Sequence, residues 1–256
     1  MKKNHVILGA ILIVLSIVLH GVHYAVFKDM HHLMIFLVAD IAFVPLEVFF
    51  VSLVLEQLIE KQEEEKVIKK MNMLVGLFYQ QFGNKLLSLF VSVDKEINGQ
   101  NKNLLMNFSW DSAKYKELKK IVASHHHKVA LDSVNMIKLY DLLFENQSLI
   151  VNMISNPMLL EKEDFSEVLM STFHLMDELK SRDLDHLTKE DLEHLEIDCN
   201  RVYEHLAKEW VVYMEHLQKA YPYLFYTAVK TNPYDTRQQE IIESELLSEL
   251  DIKSPY

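Results

Sequence analysis

Cysteine, glycine and proline are scarce in this sequence of 256 residues, and their scarcity excludes several classes of protein. The single cysteine, Cys199, can form neither an intrachain disulfide nor a paired-cysteine zinc site, so nothing indicates an oxidising compartment. With 5 glycines and 5 prolines the chain has few turn formers, and it contains no phosphate-binding glycine loop or G-x-S-x-G motif. We therefore expect an almost entirely α-helical protein.

Positive charge is also in short supply. The chain has 26 Lys and Arg residues against 37 Asp and Glu residues. Residues 60–256 hold 23 of the basic and 33 of the acidic residues, which gives this part a formal charge of −10. Such an acidic surface argues against nucleic acid as a partner.

Two long apolar segments, residues 6–27 and 33–59, begin the chain. They comprise 22 and 27 residues. At about 1.5 Å per residue, each can cross a hydrocarbon core of about 30 Å. The first is too long for the core of a signal peptide and lacks a small-residue cleavage site. We predict an all-α protein with a transmembrane helical hairpin over residues 1–59, in contact with membrane lipid, followed by a cytoplasmic multi-helix bundle.

The placement of lysines predicts the orientation of the hairpin. The link between the spans, residues 28–32, holds one lysine, whereas four soon follow the second span: Lys61, Lys66, Lys69 and Lys70. Because lysine and arginine concentrate on the cytoplasmic side, both termini of this multi-pass protein of the cell membrane are expected in the cytoplasm.

Polar residues interrupt the apolar segments and are candidate functional residues within the membrane. Asp40 and Glu47 lie in the second segment with Pro45 between them, and His20 and His23 lie in the first. Ionisable groups at this depth are costly and usually face other protein or water. A turn centred near residue 30 would place His20 level with Asp40, and a pair between them would neutralise both charges.

Glu47 has no such partner within the hairpin. It is level with Ile13, so it must be protonated, bond to an uncharged acceptor, or meet another subunit. Pro45 adds a second polar group at about the same depth, because its missing N–H frees the carbonyl near Ile41.

The remainder of the chain divides by composition. Residues 60–93 are predicted to form a juxtamembrane and amphipathic helix, 94–103 a loop, 104–235 the cytoplasmic helical domain, and 236–256 an acidic amphipathic tail that docks on the domain or a neighbouring subunit. Within the domain, helices are expected at about 111–124, 129–154, 162–181 and 188–220. The aromatic run Tyr221–Phe225 then breaks the helix with bulky side chains that need burial.

The longest predicted helix contains a repeat. Thr188 and Asp191 form a capping-box pattern at its start, and Glu-His-Leu recurs at intervals of eleven residues, placing His194, His205 and His216 on one face. One interpretation is a packing stripe that buries the three leucines of the repeat. The other is a pH-sensitive or buried polar seam that also includes Glu209.

Metal ligation is not indicated by these patterns. Successive histidines of the repeat are about 16 Å apart along one helix and cannot share an ion. The run of histidines at 125–127 could share one only if it were extended, and His174 with Asp177 and Glu178 fits an exposed helix face equally well. No Glu-x-x-His motif of a di-iron protein and no H-E-x-x-H motif occurs. We expect no metal and no cofactor.

Asp40, Pro45 and Glu47, together with the C-terminal motifs Tyr221–Phe225 and Thr231–Pro233, resemble those of a group of uncharacterised prokaryotic two-span membrane proteins with a cytoplasmic all-helical domain. The resemblance covers most of the chain. It implies this architecture and implies no activity.

Two functional hypotheses follow from the sequence. The first is a membrane-anchored helical interaction module, a scaffold or sensor that forms a homo-oligomer and binds a protein partner through its cytoplasmic domain. The alternative is a homo-oligomeric ion channel or ion pathway in which Asp40 and Glu47 of the second span line the pore. Enzymatic activity is the least favoured, because no catalytic motif was found.

Overall fold

The structure is a computed structural model that describes residues 2–97 and 104–235, together with Arg237, Ile241, Ile242 and Leu246. The described residues form an all-helical protein without β-strands. Its helices are α1 (Lys2–Phe27), α2 (Met30–Phe78), a π-helical turn (Tyr79–Gly83), α3 (Asn84–Val93), α4 (Ser112–Ser124), α5 (Ser133–Glu145), α6 (Gln147–Ile154), α7 (Pro157–Leu160), α8 (Glu163–Lys180), α9 (Lys189–Ala220) and α10 (Pro222–Lys230).

The chain separates into two units, Met1–Glu65 and Lys66–Tyr256. The first unit, called the N-terminal unit below, contains α1 and the first part of α2. Both helices are long and apolar enough to cross a membrane by length and composition, and most of their apolar side chains are exposed. The second unit, called the bundle, contains the remaining helices and the hydrophobic core.

A tight turn joins α1 to α2. Lys28 takes a left-handed conformation with φ of 50°, and its N–H donates to the carbonyl of Tyr24 at 2.8 Å, which closes α1. Asp29 then caps α2, because its carboxylate accepts from the N–H of His32 at 3.0 Å. The short polar link predicted at 28–32 therefore contains both a helix end and a helix start.

Helix α2 continues past the predicted end of the second apolar segment. It runs without interruption to Phe78, since the charged stretch after residue 60 contains no glycine or proline before Gly76. A π-helical turn follows, in which Gly83 lies against the rings of Phe78 and Tyr79. The region predicted as one helix over 60–93 is thus part of α2, the π turn and α3.

The helix predicted at 129–154 is wrong in two places. Val129 forms an isolated antiparallel β-bridge with Asp94, and α5 begins only after Asp132, whose carboxylate accepts from the N–H of Asn135 at 2.7 Å. A second break occurs at Asn146, whose side-chain amide donates to the carbonyl of Leu142 at 2.8 Å. Of the loop predicted at 94–103, residues 98–103 lie outside the described part of the chain.

Helix α9 forms the centre of the bundle and packs against α3, α4, α8 and α10. It begins with the predicted capping box, in which Thr188 and Asp191 each accept from the other's backbone N–H. Leu195, Leu206 and Leu217 of the eleven-residue repeat are buried, as the packing interpretation requires. Burying one such side chain contributes about 1.5–3 kcal/mol, so this face anchors the fold.

The chain after α9 corrects one expectation about burial. In the run Tyr221–Phe225, Phe225 is buried in the core, but the side chain of Tyr223 is 91% exposed and Leu224 is also exposed. The difference arises because Pro222 starts α10, and a helix can direct only one face inward. Of the predicted tail, Ile242 and Leu246 are buried, while Leu247 and Leu250 lie outside the described residues.

Candidate functional site

Two acidic residues of the N-terminal unit, Asp40 and Glu47, share one face of α2. Asp40 and Glu47 are seven residues apart, close to two full turns, so their side chains lie about 10 Å apart on the same side. Among the described residues, no side-chain hydrogen bond or ion pair reaches either carboxylate. Pro45 lies between them inside the helix.

The proposed pair between His20 and Asp40 is not formed. His20 is satisfied within its own helix, where Nδ1 lies 2.8 Å from the carbonyl oxygen of Ser16. His23 contacts aromatic rings near the turn, with its ring centre 4.9 Å from that of Phe27 and 6.3 Å from that of His32. Asp40 is therefore left, like Glu47, without a partner in the described chain.

In the bundle, the histidines of the eleven-residue repeat each meet a polar group of another helix. His205 Nδ1 lies 3.0 Å from Glu167 of α8, and His194 Nε2 lies 3.6 Å from Glu178 of α8. Glu167 and Glu178 are also eleven residues apart, so the two helices present matching polar rows. His216 lies past the N-terminal end of α8, and its Nδ1 is 3.4 Å from the side-chain amide of Asn72 in α2.

Glu209 is the most deeply buried carboxylate near this row. It is 1% exposed and pairs with Lys162, which immediately precedes α8. Loss of solvation raises the pKa of Glu209, and the nearby Lys162 ammonium opposes that shift. Its second oxygen, Oε2, is buried without a hydrogen bond. The sequence had indicated Glu209 as a buried polar residue but had not indicated that Lys162 is its partner.

The π turn completes the surroundings of Glu209. The hydroxyl of Tyr79 donates to the carbonyl of Leu206 at 2.9 Å, and its ring stacks on Tyr213 at 4.8 Å. Burial, together with the nearby Glu209 carboxylate, raises the pKa of Tyr79 well above its usual value, so the hydroxyl stays protonated. Burial also lowers the pKa of His216, with Lys162 acting in the same direction.

A second cluster of polar side chains includes His125 and His127 of the histidine run. The segment is extended where it leaves α4, so His125 and His127 lie on the same side and their rings meet at 4.7 Å. His125 Nε2 lies 2.7 Å from Asp94, and His127 packs against the ring of Tyr203. Burial lowers the pKa of His127 to about 4, with His125 adding to the effect. The arrangement fits a structural pair that fixes the Asp94–Val129 bridge.

A third group joins α8 to α9 and has the residue types of a metal site. His174 of α8 and His194 of α9 place their Nε2 atoms near Asp198, at 3.6 Å and 3.3 Å from Oδ2. The ligand atoms of the three residues all lie within 4.8 Å of one another. Asp198 is only 2% exposed, and Arg201 donates to its other oxygen, Oδ1, at 3.0 Å.

Part of these groups follows from the sequence alone. Glu209 and the three histidines of the repeat were predicted as site residues, whereas Lys162 and Asp198 were not. A signal for Asp198 was present, because His194 and Asp198 are four residues apart on α9, as are His174 and Glu178 on α8. Cys199 is buried, and loss of solvation raises the pKa of its thiol, so it does not provide a thiolate nucleophile.

Comparison with known proteins places the chain in a family. Residues 67–230 match the C-terminal helical domain, and residues 1–59 the N-terminal helical domain, of the family described as uncharacterized protein MJ1433. The protein of that name from Methanocaldococcus jannaschii is 34% identical over 245 residues, which cover 95% of this chain and 98% of that protein. No solved structure matches the chain. With both domains matched in order, the chain belongs to the MJ1433 family of proteins with N- and C-terminal helical domains.

Proposed function

We propose that the protein is a membrane-anchored helical interaction module whose α1 and α2 cross the cell membrane, with both termini in the cytoplasm, and which self-assembles through α2. The observation that carries this proposal is the pair of acidic residues, Asp40 and Glu47, on one face of α2 without a partner in the described chain. The exposed apolar surface of both helices supports contact with lipid, because a soluble protein rarely exposes so large an apolar area.

The energetic cost of the two acids favours assembly over a single anchored chain. On insertion scales, a charged carboxylate near the centre of a membrane helix costs about 2.5–3.5 kcal/mol. A second copy of α2 brings the same face opposite, so that these side chains meet polar groups of the facing chain instead of lipid. The bundle is then held at the membrane surface in several copies, where it acts as a scaffold or sensor for a protein partner.

An ion channel or ion pathway is the second candidate, and the alignment of the two acids favours it specifically. In a closed oligomer, Asp40 and Glu47 would form two rings about 10 Å apart along the pore. Rings of carboxylates are a common means of selecting cations. Two spans cannot enclose a pore alone, so this candidate also requires self-assembly.

The mass of the purified full-length protein in detergent and in nanodiscs tests both candidates. We expect an oligomer for the native sequence, and a shift towards the monomer for the double variant Asp40→Leu, Glu47→Leu. Phe49→Leu is the matched control, since residue 49 lies on the opposite side of α2 from Glu47 and its replacement should leave the mass unchanged. A strictly monomeric native protein would overturn self-assembly and with it the channel.

Ion flux into liposomes separates the two candidates. A channel should conduct, lose conduction in Glu47→Gln and partly retain it in Glu47→Asp, whereas a scaffold should show no flux in any variant.

Orientation is tested separately with His31→Cys, whose new thiol should react with a membrane-impermeant reagent from outside the cell. Labelling that requires permeabilisation would contradict the proposed topology.

A further inference from the structure

We propose that His174, His194 and Asp198 form a binding site for one divalent transition metal ion, with Zn²⁺ the preferred ion, between α8 and α9 of the bundle. This site goes beyond the anchoring role proposed above and does not depend on it. It also departs from the expectation drawn from the sequence, which considered ligands along single helices and did not identify Asp198.

Two spacings within the cluster suit a shared ion, and all three ligand atoms lie within 4.8 Å of one another. His194 and Asp198 are four residues apart and lie on one face of α9, while His174 approaches from α8. Zinc lies about 2.0–2.2 Å from nitrogen and oxygen ligands, so two ligands of a tetrahedral ion are about 3.3–3.5 Å apart. The two distances to Asp198 Oδ2, 3.3 and 3.6 Å, fall close to that value.

One oxygen of the buried Asp198 carboxylate has no hydrogen bond. Oδ2 of Asp198 is inaccessible to solvent and receives no hydrogen bond of acceptable geometry, although the two imidazole nitrogens lie nearby. Leaving a buried acceptor unsatisfied is costly, and more so when the acceptor carries charge. A cation bound at Oδ2 and at the unprotonated Nε2 atoms satisfies all three groups at once.

The neighbouring charges orient the carboxylate ligand. Arg201 donates to Oδ1 of Asp198, which leaves Oδ2 on the side of the imidazoles. In known metal sites, residues that hydrogen-bond to a ligand hold it in position in the same way. Glu178 lies 3.6 Å from His194 Nε2, but the same carboxylate oxygen is held by Arg182. We therefore assign the fourth position to water, which makes the site the open type with three protein ligands.

The ligand set and the exposure of the site narrow the choice of ion. Two imidazoles and one carboxylate suit Zn²⁺ and its neighbours in the transition series, whereas Mg²⁺ and Ca²⁺ require mainly oxygen ligands. The side chains of His174 and His194 are 47% and 50% exposed, so an ion can enter and leave without unfolding the bundle. The site is therefore suited to an exchangeable metal rather than a closed structural one.

Metal binding by the full-length protein tests the proposal. The protein, purified in detergent without a histidine tag and stripped with a chelator, is equilibrated with Zn²⁺ and analysed for bound metal and affinity. We expect one equivalent per chain and a thermal transition that rises with Zn²⁺. Substitution by Co²⁺ should produce the visible absorption of a four-coordinate ion. Binding below one equivalent, or cobalt in six-coordinate form, would overturn the proposal.

Variants locate the ion among the 13 histidines of the chain. His174→Gln, His194→Gln and Asp198→Asn should each weaken binding by about 100-fold or more, because loss of an outer-shell partner alone costs about 10–100-fold. His205→Gln is the matched control, because His205 lies on α9 with His194 and Asp198 but outside the proposed site. His32→Gln is a second control, which tests whether the ion binds instead at the histidines near the turn between α1 and α2. An equal loss in either control would place the metal elsewhere. His174 is half exposed, so His174→Gln remains informative even where Asp198→Asn impairs folding.

Discussion

Replacing Lys162 with methionine should strongly destabilise the bundle at neutral pH, because it leaves the buried Glu209 without its cation. Glu209 is 1% exposed, whereas the side chain of Lys162 is 21% exposed and reaches solvent at its edge. Removing one partner of a buried ion pair costs about 3–5 kcal/mol, since the remaining charge loses both water and partner. For a unit of this size that corresponds to a fall in Tm of about 6–20 °C. Thermal unfolding of the full-length protein in detergent, followed by circular dichroism, measures this fall in Tm.

The loss should depend on pH in a defined direction. Burial already raises the folded-state pKa of Glu209 above its ordinary value of 4.5, and Lys162 limits that rise. The folded state therefore binds this proton more tightly than the unfolded chain, so the contribution of Glu209 to stability is fully present below pH 4.5 and is lost as pH rises through the folded pKa. Without Lys162 the folded pKa rises further, so the loss of unfolding free energy in the variant, relative to the native sequence, should grow as pH rises above 4.5.

A double-mutant cycle provides the control. Glu209→Gln should cost little, because the remaining Lys162 can extend into water. Lys162→Met introduced into Glu209→Gln should cost less than about 1 kcal/mol, leaving an interaction energy of about 2–5 kcal/mol between the two sites. Additive effects within about 0.5 kcal/mol, or a deficit that does not change with pH, would refute this account of the pair.

Three further predictions concern the bundle. Gly83→Ala should destabilise by about 1–3 kcal/mol, because its Cβ would lie 2.8 Å from two aromatic rings, whereas Gly76→Ala meets its nearest atom at 3.6 Å and should be neutral or stabilising by up to about 1 kcal/mol; chemical unfolding compares them. Phe225→Ala should cost about 3–5 kcal/mol and Tyr223→Ala less than about 0.5 kcal/mol, since only the first side chain is buried; similar unfolding midpoints for these two variants would contradict the assigned faces of α10. Because burial lowers the pKa of His127 from 6.5 to about 4, the unfolded chain takes up its proton first, and stability should fall as pH drops through this range. His127→Gln should show a shallower decline in Tm over the same pH range, and an equal slope would count against the assignment.

The elements that sequence analysis predicted well depend on residues close together in the chain. The capping box at Thr188 needs contacts over three residues, and the buried leucines of α9 follow from a repeat of eleven residues on one helix. The length and composition of the two apolar helices are likewise properties of continuous segments. Helix α5 was misplaced at its start because the bridge between Asp94 and Val129 joins residues 35 positions apart and keeps the latter extended.

What the sequence by itself determined is therefore the helical class, the two apolar segments and the row of histidines on α9. Only the tertiary structure decided which polar groups meet. Lys162 reaches Glu209, and His174 reaches Asp198, because α8 and α9 pack with one particular register. That register is set by the combined packing of both buried helix faces, so no local pattern reveals it. The same packing leaves one oxygen of Asp198 buried between two imidazoles, a feature that exists only once the helices have met.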